Sequence, residues 1–297
     1  AGAPSSFLGG EAIRDELYSW PETNACRVDQ LVVAQSYEDT DFFTNTLVNG
    51  YGFDALEYLL FPPSLDNSCT APVTINRDGT WDALGDAEVI SRRADYAAAV
   101  SSELDRQARA LEQRWLTSGG NFSSELSGAG ASSAVYGSAQ EALDQVFAGM
   151  FYLDRQVKDL KLAAPLGISG ACTTGSTGPD LVESPHADLG LESLRANLRG
   201  FRALFTGALD GDDGVGYDDL LVAVGSEQLA TDMRRELDES IASLDAVTGT
   251  FSQTLASDEE VLVASHSAIK DVTDLLKSQF VSVLALEVPQ EGAADND

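Results

Sequence analysis

The sequence predicts an all-α protein built from bundles of long helices. Apolar residues recur at steps of three and four over most of the chain, which places them on one face of each helix. Glycine, proline and polar clusters separate these segments, and no stretch shows the alternation typical of a strand. Long helices joined by loops in each half of the chain indicate bundles.

The helical segments follow in order along the chain. Imperfect apolar spacing predicts a first helix over residues 27–48. Gly50 and Gly52 interrupt this pattern, and a short helix that begins near Asp54 ends before Pro62. The longer predicted helices cover residues 82–117, 135–163, 189–205, 221–251 and 262–283.

One segment divides the chain into two parts. Residues 164–180 are rich in glycine and proline, which is typical of a boundary. We therefore predict a first bundle in residues 1–165 and a second in residues 166–297. Lys158 and Lys161 precede this boundary, at a helix end where the helix dipole favours cations.

The charge of the chain excludes one class of partner and favours an acidic, well-hydrated surface. The formal net charge is −30, and the only lysines are at positions 158, 161, 270 and 277. Nucleic-acid binding requires clusters of Lys and Arg, so it is not expected. No apolar stretch is long enough for a membrane span. The opening residues Ala-Gly-Ala-Pro-Ser-Ser resemble the start of a trimmed mature form or of an expressed form, and the first of these is compatible with export.

Cysteines and acidic loops are the next candidates for special chemistry. Cys26, Cys69 and Cys172 have no CxxC spacing, so a zinc site built on them is not expected. A bridge between Cys26 and Cys69 would brace the short helix near Asp54, and bridges to Cys172 are the alternatives. The acidic segment 210–214 resembles a calcium loop but lacks the distal Glu of an EF-hand.

The strongest candidate site is a pair of acids on the short helix. Asp54 and Glu57 lie three residues apart in Gly52-Phe53-Asp54-Ala55-Leu56-Glu57, and positions i and i+3 share one helix face. Two neighbouring buried carboxylates require a proton, a cationic side chain or a metal ion. The alternatives are a helix-capping role for Asp54 with a hydrogen-bonded Glu57, a metal or ligand site, and direct catalysis.

Several motifs occur together in an order that resembles the imelysin family. They are Ser19-Trp20-Pro21, Cys26-Arg27-Val28-Asp29, the segment 52–61, Lys161-Leu162-Ala163-Ala164-Pro165-Leu166-Gly167 and Glu183-Ser184. The resemblance covers about residues 17–285. It implies two related up-and-down four-helix bundles packed together, with a functional cleft between them. It also implies export to the periplasm or outer membrane, often as a lipoprotein, and a link to iron uptake.

The chain departs from the family motif at one position. The family motif is Gly-x-His-x-x-Glu, and in this chain the His position is Asp54. The change disfavours the peptidase activity after which the family is named, because the expected ligand or base is missing. Asp54 and Glu57 instead offer hard oxygen ligands, which suit iron or another hard cation.

A second group of predicted ligand residues follows from the same resemblance. Glu183 and Ser184 match the motif of the second half, which is expected to face the first motif. His186 lies in the same segment and could restore the missing imidazole. The alternative is a surface loop in which Asp188 caps the next helix.

These observations predict an exported imelysin-like protein that binds a metal ion or small ligand and serves iron uptake. The expected cofactor is iron or another hard cation, and the expected ligand residues are Asp54, Glu57, Glu183, Ser184 and His186. Two alternatives remain, namely a metallopeptidase and a non-catalytic helical scaffold that contacts envelope proteins.

Overall fold

A computed structural model describes residues 17–168, 177–209 and 214–288 of the chain. Every regular element in these residues is a helix, so the predicted all-α class is confirmed. None of the helices described is long and apolar enough to cross a bilayer. Cys172 and the acidic residues 210–213 lie outside the described part of the chain, as does the polar tail from residue 289.

Thirteen α-helices are labelled here in chain order within the described residues. They are α1 Ala25–Ala34, α2 Phe42–Asn45, α3 Phe53–Leu60, α4 Thr74–Arg77, α5 Asp86–Trp115, α6 Phe122–Ser127, α7 Ala139–Met150, α8 Gly190–Thr206, α9 Tyr217–Ala223, α10 Glu227–Asp245, α11 Phe251–Ser257, α12 Glu259–Leu275 and α13 Val281–Leu284. Short 3₁₀ turns occupy Ser36–Glu38, Val48–Gly50 and Pro179–Leu181. Two π-helices, π1 Leu153–Ala163 and π2 Leu276–Phe280, continue α7 and α12.

The chain divides into two compact units, residues 1–123 and residues 124–297. The division falls within α6, some forty residues before the boundary predicted from composition. Residues 164–168, where the glycine and proline cluster begins, belong to unit 2 together with π1. The boundary predicted from composition therefore falls within unit 2.

Unit 1 is organised around α5, the longest helix of the chain. Its apolar face packs against α1 and α3, and the aromatic rings of Tyr37 and Tyr96 stack with their centroids 4.7 Å apart. The core consists mainly of Val28, Leu31, Val32, Phe42, Tyr51, Ala55, Tyr58, Leu59, Trp81, Val89, Tyr96, Val100 and Leu104. The motif helix α3 is thus held on its inner face by two neighbouring helices.

Unit 2 contains a ring of four long helices. π1 packs against α8, α8 against α10, α10 against α12, and α12 against π1. The interior is filled by aliphatic and aromatic side chains that are almost fully buried. They include Phe147, Val157, Leu162, Leu194, Leu198, Phe205, Met233, Leu237, Leu262, Ile269, Val272 and Phe280. Three of these helices lie in the predicted second half, whereas π1 lies in residues 1–165, which were predicted to form the first bundle.

Four predicted helices differ from the structure in where they begin, end or are divided, each because of a local backbone conformation. α1 ends at Ala34 because Gln35 adopts a left-handed conformation. α5 begins at Asp86, since residues 81–84 form turns that bury Trp81. The predicted helix 135–163 begins only after Ser138, which caps α7, and is divided before π1. Gly225, with φ +82°, separates α9 from α10 within the predicted helix 221–251.

Candidate functional site

Glycine at position 52 is required where the motif helix begins. Gly52 has φ +99° and ψ −177°, a conformation open almost only to glycine. A Cβ atom at this position would lie 2.4 Å from Ser19 Oγ. The Ser19 hydroxyl lies 2.7 Å from the carbonyl oxygen of Tyr51, to which it donates. The backbone at the start of α3 therefore packs directly against the Ser19 side chain.

The two motif acids lie on the first turns of α3, as predicted. Asp54 is the second residue of the helix and is 8% exposed, and Glu57 is partly exposed. Asp54 Oδ2 lies 3.4 Å from Ser19 Oγ, a longer contact than the one that Ser19 makes to Tyr51. At i and i+3, the two carboxylates lie one turn apart on one side of the helix.

Substituting Gly52 should destabilise unit 1. We expect Gly52→Ala to lower the free energy of unfolding by about 1–3 kcal/mol, because an L-residue is strained at this φ and its Cβ meets Ser19. Urea denaturation followed by tryptophan fluorescence measures this effect, since Trp20, Trp81 and Trp115 all lie in unit 1.

Gly79 provides the matched control for this substitution. It has φ +67° in the same unit, and no atom lies within 4 Å of its would-be Cβ. Gly79→Ala carries backbone strain without the clash, so Gly52→Ala should be the more destabilising of the two. Equal losses in the two variants would show that the approach to Ser19 contributes nothing.

A buried ionic cluster lies beneath the C-terminal half of α3. Tyr58 Oη donates a hydrogen bond of 2.7 Å to Asp29 Oδ2. Arg93 Nη2, from α5, lies 3.3 Å from Asp29 Oδ1, and both side chains are almost fully buried. The guanidinium of Arg93 also lies 5.5 Å from the ring centroid of Tyr58 and 5.3 Å from that of Trp81. Asp29 thus pairs with Arg93, 64 residues later in the chain.

Burial dominates the electrostatics of this cluster. Desolvation raises the pKa of Asp29, and the Ser68 amide, Tyr58 and Arg93 oppose that rise by binding the carboxylate. Desolvation and the neighbouring Asp29 charge both raise the pKa of Tyr58, so its hydroxyl remains a donor at neutral pH. The cluster therefore joins α1, α3 and α5 through groups with fixed hydrogen-bonding roles.

The predicted disulfide between Cys26 and Cys69 is present. It joins the first turn of α1 to the loop that follows α3. The two cysteines are 43 positions apart in the sequence, and the whole motif helix lies between them. Gln30 Nε2 lies 3.3 Å from Cys26 Sγ. The bridge braces the region around α3, as the sequence suggested.

The structure places the second group of predicted ligand residues in unit 2. Glu183 is 2% exposed, and its Oε1 lies 3.0 Å from Lys161 Nζ. Lys161 Nζ also lies 3.0 Å from Asn197 Oδ1 of α8. Glu183 is thus already bound to a cation of the chain, which makes it a poor candidate for a metal ligand.

Ser184 and His186 follow Glu183 in a turn that is partly exposed. Ser184 and Asp188 adopt positive φ angles of 51° and 56°. Asp188 does not cap α8, because Leu189 occupies the N-cap position and no side chain caps the helix; Asp188 Oδ1 instead accepts a hydrogen bond of 2.9 Å from Ser252 Oγ. The structure brings Glu183, Ser184 and His186 together in one segment, and a role for this segment in ligand binding stays a prediction.

Sequence reasoning missed a buried lysine cluster on π1. Lys158 is 1% exposed, and its Nζ lies 2.9 Å from Asp159 and 3.4 Å from Asp154. Lys277 Nζ also lies 3.4 Å from Asp154. Together with Lys161, three of the four lysines of the chain therefore serve as internal partners of acids. The rarity of lysine and the i, i+4 spacing of Asp154 and Lys158 were the available signals.

The chemistry open to the motif site is that of carboxylate oxygens. Asp54 and Glu57 can share a hard cation, which accepts water or other oxygen atoms as its remaining ligands. Among residues 17–168, 177–209 and 214–288, no three His, Cys, Asp or Glu side chains are grouped so that they could hold a metal ion. The pair fits an exchangeable hard cation better than a tightly held structural metal.

Comparison with known proteins identifies the family. A family model described as imelysin, of the peptidase group M75, matches residues 9–279. The chain belongs to the imelysin family. No curated protein sequence matches this imelysin-family chain.

A solved structure shows the same fold. It is a crystal structure from Parabacteroides distasonis of a protein assigned as an iron-regulated protein A precursor. The two share 17% sequence identity with a TM-score of 0.55 over 92% of this chain and 74% of that chain. At this identity the likeness concerns the fold alone, and it agrees with the all-α imelysin architecture.

Proposed function

We propose that this imelysin-family protein is exported, binds a hard metal cation or a small ligand through Asp54 and Glu57, and serves iron uptake. The observation that carries the proposal is the pair itself. Two carboxylates lie one turn apart on α3, and Asp54 is buried against Ser19. Like charges at this spacing repel each other, so a shared cation would stabilise both.

The iron assignment has weaker support than the cation assignment. The family match and the name of the structural neighbour, an iron-regulated protein A precursor, both support it. Oxygen ligands suit iron as well as calcium, magnesium or manganese. Because only two carboxylates contribute in the described residues, we propose a dissociation constant of about 0.1–1 mM, as in weak oxygen-ligand sites.

Calorimetric titration of the full chain with Fe²⁺ without oxygen, Ca²⁺ and Zn²⁺ tests this proposal. We expect heat for Fe²⁺ or Ca²⁺ that Asp54→Asn/Glu57→Gln abolishes. The matched control is Asp271→Asn/Asp274→Asn, an exposed pair of acids with the same spacing on α12. If the wild type gives no heat, or if both double variants lose the same heat, the proposed site is wrong.

The peptidase alternative is less favoured, because the resemblance to the family motif places Asp54 at the position of its histidine. A cleavage assay on an unfolded insulin chain, with and without a chelator, tests it directly. We expect no cleavage under either condition. Chelator-sensitive cleavage that Glu57→Gln abolishes would instead assign the same pair to catalysis.

A helical scaffold for envelope proteins is a second candidate function, and one observation favours it. Phe53, Leu60 and Phe61, on or next to α3, are each more than half exposed. An exposed apolar group beside the motif could contact a protein partner. In that case Phe53→Ser/Leu60→Ser should leave cation binding intact and reduce retention of the protein by isolated cell envelopes.

A further inference from the structure

The loop that follows the motif helix is fastened to the buried cluster at several points. This loop, residues 61–73, is called the strap. Arg93 Nη1 donates to the carbonyl oxygen of Ser64 over 2.9 Å, and Arg93 Nη2 to that of Asp66 over 3.0 Å. Cys69 ties the strap covalently to Cys26. The strap therefore depends on one covalent bond and on a small set of polar contacts.

Ser68 connects the strap to the motif helix. Its backbone amide donates to Asp29 Oδ2 over 2.7 Å. Its hydroxyl lies 2.8 Å from Tyr58 Oη. Because Tyr58 uses its one proton on Asp29, the Ser68 hydroxyl is the donor in this second contact. Ser68 thus holds both the buried acid and the tyrosine that follows Glu57 in the sequence.

The disulfide lies one residue from this connection. Cys69 follows Ser68 directly, and both sulfur-bearing residues are partly exposed. Ser68 is an exposed residue, so little apolar burial keeps it in place. Leu65 and Val73 pack partly buried against the core of unit 1 and anchor the strap on either side. Between these anchors the strap is held by the bridge and by Asn76, whose Nδ2 donates to the carbonyl oxygen of Cys69 over 2.8 Å.

We propose that the redox state of the Cys26–Cys69 bridge controls the order of the motif helix through Ser68 and Tyr58. A dithiol supplies two electrons and two protons, the bridge becomes two thiols, and the dithiol becomes a cyclic disulfide. Ser68 then leaves Asp29 and Tyr58, and α3 loses part of its support. Local opening of α3 becomes more frequent while the rest of the chain stays folded.

An effect of the bridge on ligand binding rests on the proposed function. If Asp54 and Glu57 bind a cation, loss of order in α3 reduces their preorganisation. We expect reduction to weaken Ca²⁺ binding at least fivefold, the lower end of usual coupling between sites. The effect on the order of α3 is independent of any ligand, and it can be measured separately.

Hydrogen exchange of the full chain, read by mass spectrometry, tests the inference. A Cys172→Ser background ensures that the bridge is the only thiol pair that responds. Dithiothreitol should raise exchange at least fivefold in peptides from the strap and from α3, and leave α10 in unit 2 unchanged. Faster exchange in the strap alone, or in no part of unit 1, would overturn the proposal.

Tyr58→Phe distinguishes transmission through the hydroxyl from general loosening. This variant keeps the buried ring and removes the hydroxyl held by Ser68 and Asp29. Exchange in α3 should already be raised in this variant, and reduction should add less than twofold there while still affecting the strap. If reduction raised the exchange rate in α3 by the same factor in Tyr58→Phe as in the wild type, Tyr58 would be excluded as the connection between the strap and α3.

Calorimetric titration of Ca²⁺ into the oxidised protein and into Cys26→Ser/Cys69→Ser tests whether the bridge affects ligand binding. If the oxidised protein binds no Ca²⁺, the proposed function fails for this ion, and hydrogen exchange alone decides the redox inference. If both proteins bind Ca²⁺ equally and exchange in α3 is unchanged, the redox inference fails and the proposed function stands.

Discussion

Lys161→Met should destabilise unit 2 by about 3–5 kcal/mol at neutral pH, the usual cost of removing one member of a buried ion pair. Lys161 is 4% exposed and Glu183 is 2% exposed, with Nζ and Oε1 3.0 Å apart. Methionine retains most of the aliphatic volume, so the loss reflects the missing ammonium and its bond to Asn197. Glu183 would then lie buried without this cationic partner.

Urea denaturation of the Lys161→Met variant, followed by far-ultraviolet circular dichroism, measures this loss. Tryptophan fluorescence reports on unit 1 alone, so its transition should stay near that of the wild type. Lys270→Met is the matched control, because Lys270 makes an exposed i, i+4 pair with Asp274 on α12. We expect it to change stability by less than about 0.5 kcal/mol.

A double variant separates charge from packing at this position. Lys161→Met/Glu183→Gln removes both charges and should recover much of the stability lost in Lys161→Met, since no buried charge loses its partner. If the double variant is as unstable as the single one, the lysine contributes through its packing. A loss below about 1 kcal/mol in Lys161→Met would contradict burial of the pair.

The helices could be predicted from the sequence because they depend on local spacing. The apolar face of α5, with Val89, Tyr96 and Val100, is visible in the sequence, and these residues are buried. The ends were less predictable, since they depend on single backbone conformations such as the left-handed Gln35. The π-helical form of residues 153–163 buries positions that recur every four residues, and the apolar pattern of the sequence did not distinguish it from an α-helix.

Only the residues of the candidate site that lie close together in the sequence could be predicted. Asp54 and Glu57 share a helix, so their spacing alone placed them together. The partner of Glu183 is Lys161, 22 residues earlier, and that of Asp29 is Arg93, 64 residues later. Long-range pairs of this kind depend on packing. The one available sign was that Arg93 fell on the apolar face of a predicted helix, where an arginine requires a buried acid.

Arg93→Met should destabilise unit 1 by about 3–5 kcal/mol near neutral pH, because Asp29 would lose its buried cation. The variant also removes the donors to the carbonyl groups of Ser64 and Asp66 in the strap. Tryptophan fluorescence during urea denaturation measures the loss. Arg109→Met, which breaks an exposed pair with Asp105 on the same helix, is the matched control and should cost less than about 1 kcal/mol.

The pH dependence of this loss identifies its cause. Burial already raises the pKa of Asp29 above its ordinary value of 3.8, and removing Arg93 raises it further because Arg93 opposes that shift. An acid whose pKa is raised on folding stabilises the folded state in its protonated form. That stability is lost as the pH rises from the unfolded pKa through the folded one, by at most about 1.4 kcal/mol per pH unit.

The difference in stability between wild type and Arg93→Met should therefore be smallest near pH 4 and should increase to a plateau at higher pH. In Arg93→Met/Asp29→Asn the group that titrates is absent, so this increase should disappear. A difference that stays constant with pH would show that Arg93 acts through the strap carbonyl groups and its contacts with Tyr58 and Trp81. Its charge would then contribute little, and the connection from Asp29 to the motif helix would be one of hydrogen bonding alone.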